Sequence, residues 1–310
     1  MERKELRVKA ISKRYKKSQT PANRNVTISL REGELTALIG HNGAGKTTLL
    51  NQIIGNIRPD EGDIQYDDIS LVKNTELARE KISMMPQFYA PLSGVTMRQS
   101  IECVLLIRGE RGKSIRECAD NIMSELDILQ WADKSGDELS GGLLRLTSFA
   151  MAVAKPAEIV LLDEPTNDVD PVRKKKIWAH IKDLSKQGHI ILVVTHNLLE
   201  VEQYADRYIL LDNGSVLKDE TISYTGNHNN TLTITLKEPE NRRILFEQLK
   251  YDFQEDNLQL RTTLSSDQVS DAMAEVVNLL EKGVVVNYKL SPASLEVSYG
   301  GLIGAKKANQ

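Results

Sequence analysis

The segment Gly40-His41-Asn42-Gly43-Ala44-Gly45-Lys46-Thr47-Thr48 constrains the fold of this chain more than any other. Leu35 to Ile39 before it is an apolar run of strand length, and Lys46 to Ile54 after it has the apolar spacing of a helix. A chain passing from a buried strand through a glycine-rich turn into a helix needs a sheet for that strand to join. Further strand signals at Glu158 to Leu162, His189 to Val194 and Tyr208 to Leu211 supply one. They alternate with helical spacing at Val172 to Ser185 and Leu198 to Tyr204, so the sheet is expected to be parallel and covered by helices.

At 310 residues the chain exceeds the usual size of one domain, so a large and a small domain are expected. Alternating stretches at Leu6 to Ile11 and Val26 to Leu30 read as antiparallel strands, and Ile82 to Met85 as a further strand. Residues from about 90 to 155 read as a helical insertion, with helices at Ile101 to Ile107, Ile115 to Leu129 and Leu143 to Val153. The large domain is placed at 1–222, a polar linker at 223–230 and a small α+β domain at 231–310. In the last, strands are expected at Thr231 to Leu236, Leu258 to Leu264 and Val284 to Leu290, and helices at Glu240 to Phe253 and Asp267 to Glu281.

Composition removes several function classes. A net charge of -3 excludes a strongly basic nucleic-acid binder. The longest apolar runs fall far short of the roughly 20 residues that span a bilayer, and the charged N-terminus carries no signal-peptide core. Cys103 and Cys118 form no metal-binding spacing and read as small buried or half-buried residues of a reducing compartment.

Gly40-x4-Gly45-Lys46-Thr47 in its strand-to-helix context is the P-loop pattern. Its glycines let backbone N–H groups surround a β-phosphate, Lys46 bridges the β- and γ-phosphates, and the Thr47 hydroxyl is a ligand for Mg²⁺. Ile159 to Leu162 carries Asp163 and Glu164 to a strand end, a Walker B arrangement in which Asp163 holds the Mg²⁺ shell and Glu164 polarises the attacking water. Ser140-Gly141-Gly142, just before a helix, makes another helix N-terminus suited to an anion.

These three motifs, in this order over about residues 6 to 220, resemble the ATP-binding-cassette (ABC) ATPases. The resemblance implies a P-loop cassette with a RecA-like core, an antiparallel β subdomain and a helical subdomain, using ATP and Mg²⁺. It makes Gln87 the Q-loop glutamine that ligates Mg²⁺ and the water, and His196 the switch histidine at the γ-phosphate. Asp170 becomes the D-loop aspartate at a dimer interface, and Tyr15 the aromatic that stacks on adenine. It further implies a head-to-tail pair of subunits, expected as a homodimer, in which each ATP lies between the P-loop of one and the Ser-Gly-Gly of the other. A separate permease would dock near Phe88 to Arg98 and the helical insertion, placing the chain peripherally on the cytoplasmic face of a membrane.

Two departures stand out. Leu143-Leu144-Arg145-Leu146 replaces the family's Gln-led polar run, so an exposed polar helix face is expected to have become apolar, and Asn167-Asp168-Val169 replaces small residues before Asp170. The layout is most like that of drug and antibiotic-peptide exporters. An importer subunit shares every catalytic residue. A soluble ATPase acting on nucleic acid or ribosomes would draw on the basic N-terminal residues, from Arg3 to Lys17, and on Arg173 to Lys176. Neither run is interleaved with stacking aromatics beyond Tyr15, and no nucleic acid is expected.

Overall fold

A parallel sheet with helices on both faces requires strands that are apolar at every position. The computed structural model describes residues 4–16, 19–87, 90, 93–222, 230–265 and 267–292, and the chain divides into two units, Met1–Ile222 and Ser223–Gln310. The first opens with the hairpin β1 (Glu5–Lys13) and β2 (Asn23–Arg31), then enters β3 (Leu35–Ile39), the glycine loop and α1 (Lys46–Ile53). Strands β4 (Glu61–Tyr66) and β5 (Ile69–Ser70) complete an antiparallel sheet of order β2-β1-β4-β5. Helix α2 (Thr75–Lys81) leads into β6 (Ile82–Met85), and α3 (Met97–Ile107), α4 (Ser114–Glu125) and α5 (Gly141–Val153) follow. Alternation resumes with β7 (Ile159–Asp163), α6 (Pro171–Lys186), β8 (Ile190–Val194), α7 (Leu198–Tyr204), β9 (Arg207–Asp212) and β10 (Ser215–Thr221).

The second sheet runs β10-β9-β3-β8-β7-β6, parallel from β9 to β6 with β10 antiparallel at one edge. Every residue of β3, β7, β8 and β9 is buried, as a two-sided cover demands. One core joins the two sheets, since Val8, Ile28 and Ile64 cluster with Leu38, Leu49, Leu161 and Leu192. Because β3, β8, β7 and β6 are parallel neighbours, the residues that follow them come out along one edge. Ligands of open α/β sheets bind at that edge.

In the second unit β11 (Asn230–Leu236), α8 (Arg242–Gln248), β12 (Gln254–Asp256), β13 (Gln259–Leu264), α9 (Val269–Glu281) and β14 (Val285–Pro292) form an antiparallel sheet of order β12-β13-β11-β14. Leu232, Ile234 and Leu260 pack against Leu245, Val276 and Leu279 of its helices.

Several elements differ from the sequence reading. The helix expected over Glu240 to Phe253 stops at Gln248, because Leu249, Tyr251 and Phe253 reach the core at every second residue, a strand-like spacing. That expected over Ile115 to Leu129 stops at Glu125, two residues before Asp127 turns to φ 58°. Strands β4 and β10 and helix α2 were not read at all; their charged, part-exposed sequences lack a clean apolar period. Cys103 is exposed, against the burial expected of it. Of the linker expected at 223–230, Asn230 begins β11, and residues 223–229, the tail beyond 292, the basic Arg3 and Lys17, and Phe88 and Pro91 lie outside the described residues.

Glu158, just ahead of β7 and at the opposite sheet edge from the glycine loop, accepts from Tyr66 Oη at 2.6 Å, Lys81 Nζ at 2.7 Å and Lys4 Nζ. Burial opposes its charge, but these donors outweigh burial and hold the carboxyl down at about 2. A depressed carboxylate stabilises the fold above its ordinary value, and that stabilisation fades as pH falls from 4.5 towards about 2. Glu158→Gln should cost about 1–2 kcal/mol near neutral pH. Melting curves of the two proteins should converge across that acidic window, and a constant difference throughout would refute the linkage.

Candidate functional site

The glycine loop is built from behind. Gly45 caps α1 at φ 103°, and a Cβ there would lie 2.2 Å from the Ala22 carbonyl oxygen, so only glycine fits. Asn23, fully buried on β2, donates to the Gly45 carbonyl at 3.2 Å and accepts from Gln52 at 2.7 Å, bracing the turn. Lys46 Nζ lies in the throat of the loop and donates to the carbonyls of Gly40 at 2.6 Å and His41 at 3.0 Å. Burial lowers the Lys46 pKa, against the pull of Glu164 and Asp163. Ala44 is buried, and His41 Nε2 lies 3.1 Å from the Asp212 carboxylate.

A cleft of ≈ 380 Å³ opens in front, lined among others by Asn42, Gly43, Gly45, Lys46, Thr47, Thr48, Gln87, Asp163 and Glu164. Those residues come from the ends of β3, β6 and β7. Tyr15 stands beside it, exposed, with its hydroxyl 3.4 Å from Thr48 Oγ1.

The two carboxylates dominate the electrostatics. Asp163 is pushed up to about 6, by burial and then by repulsion from Glu164, while Arg145 and Lys46 draw it down. A buried acid raised in this way is short of positive charge, which fits a divalent cation. No group of three acidic, histidine or cysteine residues among the described ones could hold a metal ion, so Thr47, Asp163 and Gln87 would have to share it with phosphate oxygens. Glu164 has a left-handed backbone at φ 53°, anchored by its N–H to the Val194 carbonyl at 2.8 Å. Its Oε1 is 2.9 Å from His196 Nδ1, and its Oε2 is buried with no hydrogen-bond partner among the described residues.

The remaining expected residues do not line this cleft. Ser140 caps α5, accepting from Leu143 N at 3.4 Å, and is exposed with Gly141. A Cβ on Gly142 would lie 2.6 Å from the Asp168 carbonyl oxygen, so this glycine lets the start of α5 pack on the loop before α6. Asp170 caps α6: with Pro171 beginning the helix, its carboxylate accepts from the N–H groups of Val172 and Arg173, each at 3.1 Å, and from Arg173 Nη1 at 3.0 Å.

The apolar run in α5 is not an exposed face turned apolar. Leu143 and Leu144 are half-buried, and Arg145 and Leu146 are buried. Sequence reasoning also missed Asn23, Arg145 and Glu200 as site supports. Glu200 accepts from Thr166 Oγ1 at 2.6 Å, Trp178 Nε1 at 3.1 Å and Lys174 Nζ at 3.2 Å, joining the loop after β7 to the helix after His196. A lone arginine among leucines was the available signal for Arg145.

Residues 23–167 match the family model described as ABC transporter. The chain is 32% identical over 215 residues to ATP-binding cassette sub-family A member 10 of Homo sapiens, covering 68% of this chain and 14% of that protein's length. It is 32% identical over 219 residues to the lipopolysaccharide export system ATP-binding protein LptB of Haemophilus influenzae, covering 70% of this chain and 90% of that one. A solved dimer of an ATP-binding cassette in a post-hydrolysis state, bound to ADP and Pi, superposes with a TM-score of 0.66 at 28% identity, over 71% of this chain and 100% of that one.

Gly142→Ala should force the loop before α6 to shift and lower stability by about 1–3 kcal/mol. Thermal melting measures this, and an unchanged melting temperature would mean that the α5 contact on Asp168 is dispensable.

Proposed function

Since the chain belongs to the ABC transporter family, as one of its ATP-hydrolysing cassettes, we propose that it dimerises on ATP and drives a separate membrane permease, with export as the direction. Glu164 carries this reading: one carboxylate oxygen is held by His196 and the other is buried and unpartnered beside Lys46 and Asp163. That oxygen is the acceptor for a proton from the water that attacks the γ-phosphate. Lys46 and the loop N–H groups of Gly40 to Thr48 neutralise the β- and γ-phosphates. His196 steadies Glu164 and faces the γ-phosphate, and Tyr15 stacks on the adenine. Thr47, Asp163 and Gln87 would hold Mg²⁺, which would supply positive charge to the phosphates.

Ser140, Gly141 and Gly142 stand outside their own cleft, which supports a head-to-tail homodimer in which they meet the partner's ATP through the N-terminus of α5. Asp170, holding the start of α6, lies at the same interface. The residue ranges follow: 1–222 is the ATPase domain and 231–310 an accessory domain. The permease contact is placed beside Gln87, where a cavity of ≈ 210 Å³ lined by Met84, Pro86, Val104 and Arg108 opens between β6, α3 and α5. No helix among the described residues is long and apolar enough to cross a membrane, in keeping with a peripheral place on the cytoplasmic face. The export role in the name of the Haemophilus influenzae relative supports that direction here.

Glu164→Gln should lower kcat by ~10²–10⁴-fold and trap a dimer with Mg-ATP, read by phosphate release and size-exclusion chromatography. A variant that hydrolyses normally would remove Glu164 from the reaction, and one that stays monomeric would count against the dimer. Gln87→Ala should abolish stimulation of hydrolysis by the co-purified permease while leaving KM for ATP near wild type; intact stimulation would move the coupling elsewhere.

A further inference from the structure

Arg145 is 1% exposed, one turn into α5. A guanidinium has five N–H donors in a fixed fork, and here all of them point at main-chain carbonyls. Nε and Nη2 donate to the Glu164 oxygen at 2.9 and 2.6 Å, and Nη2 also donates to that of Asp163. Nη1 donates to the carbonyls of Pro86 at 3.1 Å and Gln87 at 2.9 Å. One side chain therefore gathers three segments: the helix headed by Ser140-Gly141-Gly142, the strand end bearing both carboxylates, and the turn bearing Gln87. Its charge is offset electrostatically by Asp163, whose carboxyl it draws down.

The carbonyl that Arg145 grips twice belongs to Glu164, whose left-handed backbone aims its carboxylate at His196. A non-glycine residue is strained there and stays only where its surroundings hold it. Arg145 is such a restraint. We propose that it is a positioning residue that makes the placement of α5 and the aim of Glu164 a single mechanical variable. The inference rests on the head-to-tail dimer. There the first turn of α5 meets the partner's ATP, while Arg145, one turn on, fixes the proton acceptor for the subunit's own ATP. Occupancy of one site then sets catalytic competence at the other, and hydrolysis is cooperative in ATP.

The test uses Arg145→Lys in the full-length chain, which keeps the charge but replaces a five-donor fork with three donors at one point. Wild type should hydrolyse ATP with a Hill coefficient approaching about 2, the number of sites. Arg145→Lys should lose ~10–100-fold in kcat and bring the Hill coefficient to about 1, while the Glu164→Gln, Arg145→Lys double variant still dimerises with Mg-ATP. A folded Arg145→Lys protein with an unchanged Hill coefficient overturns the inference, as does a wild type without cooperativity. Failure of Glu164→Gln alone to dimerise overturns the dimer reading and this inference with it. Hydrogen exchange on the wild type needs no variant: adding a non-hydrolysable ATP analogue should protect peptides around 141–145, 86–87 and 163–166 together. Protection of the first without the others overturns the coupling.

Discussion

Two adjacent carboxylates, Asp163 and Glu164, are buried at the end of β7, and burial together with the charge of Glu164 raises the cost of ionising Asp163. The chain meets this with nitrogen-bearing side chains from three directions. Lys46 reaches in from the glycine loop, Arg145 comes from α5 behind the strand, and His196 contacts Glu164 from the end of β8. None of these forms a simple exposed ion pair. Lys46 is itself tied to loop carbonyls, and Arg145 donates to the backbone carbonyls of Pro86, Gln87 and Glu164. The result is a pocket short of positive charge at Asp163, arranged for a ligand that brings both phosphate and cation.

That arrangement depends on strand order. β3, β8, β7 and β6 lie side by side and parallel, so the glycine loop, His196, the carboxylates and Gln87 emerge in sequence along one edge. Moving β3, β8 or β7 would separate Lys46 from Glu164 whatever the local motif. The complete burial of β3, β7 and β8 fixes this order, since a slip by one residue would disturb packing on both covered faces.

Much of this was legible in the residues. The glycine loop, the apolar strand ending in two acids and the strand before His196 are local patterns, and apolar strands of four or five residues leave little freedom in where they lie. What was not legible depends on contacts between distant segments. Asn23 is unremarkable on an alternating strand, yet it braces Gly45 and Gln52. Glu200 reads as a charged helix residue, but Thr166, Trp178 and Lys174 converge on it from another loop and helix. The run from Leu143 to Leu146 looked like a solvent face gone apolar, because sequence does not say which side of α5 is covered. Asp170 is a fourth case, its role as the cap of α6 set by Pro171 and Arg173.

The position of α5 decides what the molecule can do. Its first turn is exposed and points no polar group into its own cleft, while Gly142 seats it on the Asp168 carbonyl and Arg145 ties its second turn to Glu164 and Gln87. The exposed cap at Ser140 and Gly141 and the Arg145 anchor lie about one turn apart at the same end of α5, and the helix's backbone hydrogen bonds resist bending between them. An anion drawn to the exposed N-terminus therefore acts on a rigid lever whose fixed point is the main chain of the proton acceptor. In the head-to-tail dimer proposed above, that lever would join the chemistry of one subunit to the nucleotide of the other. The turn at Gln87 is held by the same guanidinium, so a permease docked there, as proposed above, would come under the same control.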